Sequence, residues 1–489
     1  MKKFLACFVT AIAVFTLSTA RAGDRLREHP QVRSNIELLE AWIESQMAYK
    51  GIPGMCVAVV HDQEVIYKRG FGYADIKAKK KTTPNTLYRI ASHSKLFAAI
   101  SIMQLRDAGR LGLDDPVKKH LPWFKLKGSD KKSLPVTLRQ LMTHSSGIPR
   151  EAGNQPYWTN FKFPTTDEII NHIENQEAVF PAAIKWKYSN LAYALLGEVI
   201  AAVSGKPFDE YVERNILKPL DMSHSGVTLS SINRKRLATG YGRRLPDGSR
   251  QELPVIDAKG MAAATGVTSS VADMTRFVSW QLRLLSDDDT EVLKPSTLRE
   301  MQRIHWLDPK WKHGFGLTFM IFKNADRVLV GHEGGYPGFK TSTFISPEEK
   351  LAVIVFSNSL DAQPYPGEPL SVVDRTFEWV GDAIAEAKED PKPKRHKPMY
   401  KNLAGTYRCI WGDWQVLELD GDLVALNITH PDPKKTISVL EPLGESKTTF
   451  RVTEGDPIYP LGETVSFKIG KGGTARLMMF GQLEVPRVQ

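Results

Sequence analysis

A serine and a lysine three residues apart form the first candidate site for covalent chemistry. Ser92 and Lys95 follow a β-like run that ends at Arg89, and they open an amphipathic helical pattern. Positions i and i+3 lie on one face of a helix, so the two side chains should be neighbours. A serine hydroxyl becomes a good nucleophile when a neighbouring group takes its proton, and a lysine does this when burial or a nearby cation keeps it neutral. The same spacing recurs in residues 129–132 (SDKK), where we predict a surface loop.

The second candidate group is a tyrosine and an asparagine that directly precede another apolar helical pattern. Tyr188 and Asn190 flank Ser189 in this segment. A phenol held near cations is able to relay a proton between a nucleophile and a leaving group. The alternative for Ser189 and Asn190 is purely structural, because both residue types are common helix N-caps.

The third candidate group is the segment His332-Glu333-Gly334-Gly335, which lies between two strand-like runs. A glycine pair on an edge strand lets a substrate backbone approach the sheet and exposes a backbone N–H. That N–H and the N–H of Ser92 would together form an oxyanion hole. The alternative is that His332 packs or caps a turn and that the glycines are turn residues.

Other enzyme classes find no support in the sequence. The chain has no Gly-x-Ser-x-Gly motif and no His-x-His-x-Asp cluster, and His332-Glu333 lacks the second histidine of a zinc-binding HExxH motif. We therefore predict neither a metal nor another cofactor.

The elements that must position these residues are strands at both ends of the first 380 residues and helices between them. Strand patterns cover residues 55–60, 64–68, 316–322, 327–330, 339–345 and 351–356. Helical patterns begin near Ser94, Asn190 and Val271. This order predicts an α+β fold, in which an antiparallel sheet is flanked by helices, the middle of the chain is helical, and both chain ends meet in one sheet.

The three candidate groups, taken in order, resemble a known family. Ser-x-x-Lys, Tyr-x-Asn and His-x-Gly in this sequence order resemble the serine β-lactamase and penicillin-binding-protein superfamily, especially its class C β-lactamase-like branch of D-stereospecific peptidases and esterases. Residues 70–75 (GFGYAD), 138–149 (LRQLMTHSSGIP) and 264–277 (ATGVTSSVADMTRF) are also similar to that family. The resemblance covers roughly residues 35–380 and implies a β-lactamase-like fold.

The resemblance implies a role for each candidate residue. Ser92 would be the acylated nucleophile, Lys95 its proton acceptor, and Tyr188 the acid/base partner. Substrate-binding roles fall on Asn190, His332, Gly334 and Gly335, and Gly335 would supply the second oxyanion N–H. His144, within the similar segment, is expected to pack rather than to act as a base.

One departure from the family pattern bears on the substrate. The penicillin-inactivating members usually carry Lys-Thr-Gly where this chain has His-Glu-Gly. A neutral histidine holds a substrate carboxylate more weakly than a lysine, which favours a peptidase, amidase or esterase. An unperturbed histidine titrates near pH 6.5. If His332 binds a carboxylate, affinity should therefore weaken as the pH rises through that titration. The alternatives are a weak β-lactamase, a D-Ala-D-Ala carboxypeptidase, or a catalytically silent binder of cell-wall peptide.

Residues 1–22 have the features of a secretory signal peptide. Lys2 and Lys3 precede an apolar run over residues 4–17 and a small-x-small cleavage site at residues 20–22. We therefore expect a periplasmic or secreted protein without a membrane span. The net charge of +10 over 489 residues is too small a surplus to indicate a nucleic-acid partner, and it is compatible with an anionic cell wall. The expected partner is a small-molecule or peptide substrate.

The remaining sequence predicts two domains joined by a linker. Residues 23–385 form the hydrolase domain, residues 386–398 a polar, proline-containing linker, and residues 399–489 a small all-β domain that resembles the lipocalin-like barrels of some family members. In that domain Trp411 and Trp414 are predicted to lie in the barrel core. The two cysteines that follow the signal peptide are widely separated, so Cys56 is expected to be a buried, inert thiol, and a single bridge to Cys409 stays open.

Overall fold

The computed structural model describes residues 26–127, 134–153, 156–286, 290–311, 313–324, 326–389, 398–455 and 461–488. The predicted signal peptide, the 129–132 segment and residues 390–397 of the predicted linker lie outside the described residues.

Helices and strands alternate along the described chain much as the sequence predicts. The helices are α1 Pro30–Lys50, α2 Ser94–Asp107, α3 Val117–His120, α4 Leu138–Met142, α5 Tyr157–Asn160, α6 Thr166–Ile173, α7 Asn190–Ser204, α8 Phe208–Val212, α9 Ala262–Thr265, α10 Val271–Ser286, α11 Pro295–Met301, α12 Val372–Thr376 and α13 Asp382–Glu389. The strands of the first domain are β1 Gly54–His61, β2 Glu64–Asp75, β3 Lys80–Lys81, β4 Leu87–Arg89, β5 Gly240–Arg244, β6 Arg250–Leu253, β7 Thr268–Ser270, β8 Trp306–Leu307, β9 His313–Phe315, β10 Met320–Asn324, β11 Arg327–Tyr336, β12 Phe339–Ser346 and β13 Leu351–Ser357.

A nine-stranded antiparallel sheet forms the centre of the first domain. Its strand order is β3-β2-β1-β13-β12-β11-β10-β9-β8, so β1 pairs with β13 and the two ends of the domain meet in one sheet. Successive side chains of a strand point to opposite faces of a sheet. In β1, Cys56, Ala58 and Val60 pack with the helical region, whereas Met55, Val57 and Val59 pack with α1 on the other face. The predicted α+β fold is confirmed.

The helices that carry the candidate residues begin where the sequence patterns place them. Gly205 ends α7 in a left-handed conformation with φ 74°, a conformation that glycine adopts without steric cost. At the start of α10 the hydroxyl of Ser270 accepts a hydrogen bond from Asp273 N–H at 3.1 Å.

The predicted strand over residues 316–322 is wrong in its first half. Residues 316–319 form a turn between β9 and β10, in which Thr318 has φ 80°. Leu317 N–H donates to the Met301 carbonyl at 2.9 Å, and the Thr318 hydroxyl lies 2.6 Å from the hydroxyl of Tyr193. Hydrogen bonds to helices α7 and α11 thus replace sheet pairing, and the apolar pattern alone does not reveal them.

Eight consecutive antiparallel strands form the second domain. They are β14 Gly405–Cys409, β15 Gly412–Leu419, β16 Asp422–Asn427, β17 Ser438–Pro442, β18 Thr449–Glu454, β19 Thr464–Ile469, β20 Ala475–Phe480 and β21 Leu483–Pro486. A β-bridge between Tyr407 and Arg487 joins the first and last strands, which nearly closes a barrel. Trp414 lies in the barrel core as predicted, but Trp411 is 72% exposed in the β14–β15 turn, so its predicted core position is wrong.

Helix α13 runs into the stretch predicted as a linker and covers its first four residues, through Glu389. The apolar side chains of Ala383, Ile384 and Ala387 are buried on one face, so this amphipathic stretch gains by packing as a helix. Cys56 is buried, and burial raises the pKa of its thiol; both Cys56 and Cys409 are free.

Among the described residues no single helix is long and apolar enough to cross a membrane. One bent pair in the described part of the chain, Asn190–Ser204 and Phe208–Leu217 with 76° between its halves, meets the length and composition test when taken together.

Candidate active site

A tight turn between β4 and α2 presents Ser92. Ala91 has φ 50°, a left-handed conformation that is costly for a residue with a Cβ, and residues 91–93 form a single 3₁₀ turn before the helix. Ser94 holds this turn in place, because its hydroxyl donates to the Ala91 carbonyl at 2.6 Å and accepts from Val267 N–H at 2.9 Å. The strained residue thus precedes the candidate nucleophile directly.

The Ser92 hydroxyl oxygen accepts hydrogen bonds from two of the predicted partners. Lys95 Nζ lies 3.0 Å from Ser92 Oγ, and the Tyr188 hydroxyl lies 2.9 Å from the same atom. The three residues come from two different parts of the chain, so the fold brings together groups 96 residues apart in sequence.

Lys95 is buried in a way that favours its neutral form. Its side chain is 0% exposed, and its second hydrogen bond is to the Ala264 carbonyl at 2.8 Å. Desolvation holds the pKa of Lys95 well below its ordinary value, and the charge of Arg150 lowers it further, while Glu151 opposes the shift. A neutral amine next to Ser92 Oγ is a proton acceptor.

Tyr188 is held between an aromatic ring, the Lys95 amine and the Arg150 guanidinium. Its ring lies 4.2 Å from the imidazole of His144, centroid to centroid, and Lys95 Nζ and the Arg150 guanidinium carbon each lie 5.0 Å from its centroid. Burial raises the pKa of Tyr188, so its phenol stays protonated and donates to Ser92. His144 also accepts a hydrogen bond from Ser189 N–H at 3.1 Å, and burial lowers its pKa well below the usual value.

Asn190 occupies the first turn of α7, and Ser189 is the residue that caps this helix. The Ser189 hydroxyl accepts from Ala192 N–H at 3.0 Å. The Asn190 amide donates to both carboxylate oxygens of Glu151, at 3.0 and 3.2 Å, and Asn190 Oδ1 is buried without a hydrogen-bond partner among the described residues. Sequence reasoning missed Glu151, which also accepts from the Tyr157 hydroxyl. Its only signal is its place just after the similar segment ending at Pro149.

Strand β11 passes directly beside the turn that carries Ser92. A Cβ added to Gly334 would lie 2.3 Å from the Ile90 carbonyl oxygen and 2.4 Å from Thr341 Oγ1, so no larger residue fits there. Strand β10 pairs only with residues 327–331 of β11, whereas β12 pairs with residues 330–336. Residues 332–336 therefore have one free edge among the described strands, and Gly335 lies on it.

His332 is fully buried, which overturns the expectation that it titrates near pH 6.5. It is 1% exposed, its Nδ1 lies 2.6 Å from the Glu333 carbonyl, and its ring lies 6.1 Å from that of His93. Desolvation is the largest cause that lowers the pKa of His332 well below its usual value. Protonating His332 at this buried position to bind a substrate carboxylate would carry too large a desolvation cost.

Glu333 belongs to the third candidate group, but sequence reasoning gave it no role of its own. Burial raises its pKa to about 7, and the charge of Glu368 adds to this shift while Lys340 opposes it. Glu333 lines a groove of about 830 Å³ near the candidate residues. In the described parts of the chain, no three His, Cys, Asp or Glu side chains are grouped so that they could hold a metal ion.

A serine that accepts hydrogen bonds from a buried lysine and from a tyrosine, at a strand-to-helix turn beside an edge strand, is the arrangement of a serine hydrolase. The family model described as Beta-lactamase matches residues 39–374, well over half of the chain. The chain therefore belongs to the Beta-lactamase family.

Known relatives support hydrolase activity in general. Penicillin-binding protein 4* of Bacillus subtilis (strain 168) is 27% identical over 417 residues, which are 82% of this chain and 88% of that protein. Protein flp of Staphylococcus aureus (strain MRSA252) is 28% identical over 322 residues, 65% of this chain. The matched region spans 62% of the length of flp, less than two thirds.

Solved structures agree with the fold. The octameric penicillin-binding protein homologue from Pyrococcus abyssi superposes with a TM-score of 0.60 and 26% identity, covering 92% of this chain and 99% of that one. The D-stereospecific amidohydrolase from Streptomyces sp. has a TM-score of 0.56 and covers 73% of this chain and 99% of its own. At 22% identity, this second likeness shows the fold alone.

Proposed function

We propose that this protein is an exported serine hydrolase that cleaves amide or ester bonds of small molecules or peptides through an acyl-enzyme on Ser92. The observation that carries the proposal is the pair of hydrogen bonds to Ser92 Oγ, at 3.0 Å from Lys95 and at 2.9 Å from Tyr188, with the lysine fully buried. Export rests on the signal-like residues 1–22.

The proposed reaction follows from these contacts. Neutral Lys95 accepts the hydroxyl proton as Ser92 Oγ attacks the substrate carbonyl, and the backbone N–H groups of Ser92 and Gly335 stabilise the oxyanion. The proton then passes through Tyr188 to the leaving amine or alkoxide as the acyl bond to Ser92 forms. A water molecule releases the acid by the reverse proton path, which restores the free serine.

The free edge of β11 supports an extended substrate. Among the described strands none pairs with residues 332–336 on the side opposite β12, so a peptide-like substrate is able to add there as a further strand. Asn190, whose Oδ1 has no partner among the described residues, is a hydrogen-bond acceptor for the same substrate. Peptides, D-amino-acid derivatives and esters are the substrate classes we propose.

A second candidate function is reaction with penicillins, as a weak β-lactamase or a D-Ala-D-Ala carboxypeptidase. It is favoured by the likeness to penicillin-binding protein 4* and opposed by the neutral, buried His332. The non-enzymatic alternative, a silent binder of cell-wall peptide, is opposed by the complete set of Ser92, Lys95 and Tyr188.

The test is a search for covalent adducts by mass spectrometry. A fluorophosphonate and, separately, a penicillin are incubated with the protein, and the modified peptide is sequenced. We expect the fluorophosphonate on Ser92, no adduct in Ser92→Ala, and an unchanged adduct in the control Ser223→Ala, whose side chain is exposed. Labelling that persists in Ser92→Ala would refute the proposed nucleophile, and a stable penicillin adduct would favour the second candidate.

A further inference from the structure

The groove beside the catalytic residues has walls that the proposed reaction does not use. Its volume is about 830 Å³, and its walls include the side chains of Trp186, Trp306, Phe315, Phe322, Tyr365 and Glu333. Aromatic side chains contribute much of this wall, and Glu333 belongs to β11, the strand that runs past Ser92.

The groove lies next to the proposed catalytic site. The ring of Trp186 lies 6.1 Å from that of Tyr188, and the hydroxyl of Tyr365 donates to the Gly334 carbonyl at 2.9 Å. Glu333 is the residue between His332 and Gly334. A substrate bound along the free edge of β11 would therefore place one of its substituents in this groove.

Aromatic side chains form part of the groove wall that would contact this substituent. Trp186 and Phe315 are stacked with their centroids 4.3 Å apart and their planes 27° apart, so they form one continuous wall. The face of an aromatic ring attracts cations, and quaternary ammonium groups are recognised by clusters of such rings.

The acidic end of the groove lacks a cation that would neutralise it fully. Among the described residues, Glu368 Oε2 is buried without a hydrogen-bond partner. Lys340, whose charge opposes the raised pKa of Glu333, is paired with Glu368 Oε1 at 3.7 Å and lies 4.9 Å from the ring of Tyr365. Lys185 is engaged with the ring of Phe180 at 4.9 Å.

We propose that this groove binds an alkylammonium group, so that the preferred substrates of the Ser92 site carry a positively charged, apolar substituent. The inference rests on the proposed function and names the substrate class of the same site. An aromatic wall alone would accept a neutral apolar group equally well, and a carboxylate alone would favour any small hydrated cation. Their combination selects a cation that is bulky and weakly hydrated.

The charge of Glu333 makes the preference depend on pH. With a pKa of about 7, its carboxyl is largely neutral at pH 6 and largely ionised at pH 8, so preference for the cation should rise with pH. A bound cation favours the ionised form and lowers that midpoint. The other titratable or charged groups that face this carboxyl, or line the groove with it, are Glu368, Lys340, Tyr365, Tyr188, His332, Lys185, Asp308 and His313.

The experiment uses two esters of the same shape that differ only in charge. p-Nitrophenyl 4-(trimethylammonio)butanoate carries a permanent cation, and p-nitrophenyl 5,5-dimethylhexanoate replaces the nitrogen with carbon. We expect kcat/KM, normalised to each ester's spontaneous hydrolysis, to favour the cationic ester about tenfold at pH 8 and much less at pH 6. A tenfold ratio corresponds to about 1.4 kcal/mol, a reasonable value for one partly buried charge contact.

Two variants and a control show which residues carry the preference. Glu333→Gln should abolish both the preference and its pH dependence, and Trp186→Ala should weaken the preference at every pH. Glu348→Gln, in the exposed turn between β12 and β13, should leave the ratio as in the wild type. Equal, pH-independent ratios in the wild type, or a full preference in Glu333→Gln, would overturn the inference.

A binding measurement keeps this inference separate from the proposed function. Benzyltrimethylammonium is titrated into the wild type and into Glu333→Gln, and binding is followed by calorimetry. If neither ester is hydrolysed and Ser92 is not labelled, the proposed function fails, yet tight binding to the wild type alone would still support the groove. If Ser92 is labelled but the ammonium probe binds both proteins equally, only the groove assignment fails.

Discussion

A lysine serves as a base only if its surroundings keep it uncharged, and at Lys95 that depends mainly on burial. The side chain has no exposed surface, and desolvation is the largest cause of its lowered pKa. The Ala264 carbonyl and the Ser92 hydroxyl give it two hydrogen bonds, so the amine is fixed in position without an acid beside it. Glu151 is close enough to oppose the shift but is bonded to Asn190 and Tyr157 instead.

Because Lys95 is proposed to act as a neutral base, we predict that the charge of the side chain at position 95 affects catalysis more than its length. In Lys95→Arg the guanidinium stays protonated at any working pH, so kcat/KM should fall by at least about 100-fold, as on loss of a positioned base. The wild-type rate should rise with pH and level off below the ordinary lysine pKa, because Lys95 loses its proton early. Steady-state kinetics on a neutral ester measure both effects.

Lys118→Arg is the matched control, because Lys118 is exposed on α3 and should tolerate the change. Near-normal rates in Lys95→Arg would mean that another group takes the serine proton.

For individual residues, the sequence predicts which side chains belong to the site and which of them are neighbours, but not which of them are charged. The Ser-x-x-Lys spacing predicted that Ser92 and Lys95 are neighbours, and the family resemblance added Tyr188; the structure brings all three together. The sequence did not reveal that His332 is buried and neutral, nor that Trp411 is exposed, because burial depends on residues distant in the chain. Glu151 was missed for the same reason: its bonds to Asn190 span 39 positions.

Among the contacts between secondary-structure elements, the close approach of β11 to the Ser92 turn most strongly restricts which residue types fit. Gly334 packs against the Ile90 carbonyl, two residues before Ser92, and an added methyl group would meet backbone that has no room to move. At Gly335 the nearest atom to an added Cβ is Tyr365 Oη at 3.4 Å, which is close to ordinary contact. Gly334 and Gly335, although adjacent on one strand, therefore differ in how well they tolerate an added side chain.

We predict that Gly334→Ala destabilises the protein and weakens fluorophosphonate labelling, whereas Gly335→Ala has a much smaller effect on stability. The first change either pushes β11 away from the Ser92 turn or strains it, at a cost of about 1–3 kcal/mol, as in other overpacked sites. Denaturant unfolding and labelling rates measure the two consequences. Equal losses of stability in the two variants would contradict the close packing at Gly334.

The sequence predicts elements best where pattern and local signals agree. The ends of α2 and α7 and the start of α10 follow from apolar periodicity and capping residues. The strand prediction is wrong at residues 316–319 because backbone groups there bond to helices distant in sequence instead of to a neighbouring strand. The end of α13 was missed because charged residues near prolines indicated a linker, although Ala383, Ile384 and Ala387 give that stretch a buried face.

At the scale of the whole molecule, the eight-stranded barrel is packed against the hydrolase domain by strands with two apolar faces. In β16, Leu423 and Ala425 point into the barrel core, whereas Val424 and Leu426 join the cluster that contains α1. Polar contacts continue this interface, with Arg375 Nη1 3.7 Å from Asp432 Oδ1. The sequence alternation predicted the strands, but the second apolar face was not recognised as a docking surface.

Because the two domains share a packed apolar interface, we predict that the barrel stabilises the hydrolase domain. Leu417 on β15 is 1% exposed and lies in the apolar cluster with α1. Leu417→Ala should therefore lower the free energy of unfolding by about 2–5 kcal/mol, as for other buried leucines. We expect residual esterase activity after heating to decline at a lower temperature than in the wild type, because loosening the interface exposes apolar surface of the hydrolase domain. Leu443→Ala is the control, since Leu443 is 42% exposed on the barrel surface. If Leu417→Ala leaves the inactivation temperature unchanged while the barrel itself unfolds earlier, the two domains are stable independently and the barrel is only an appended module.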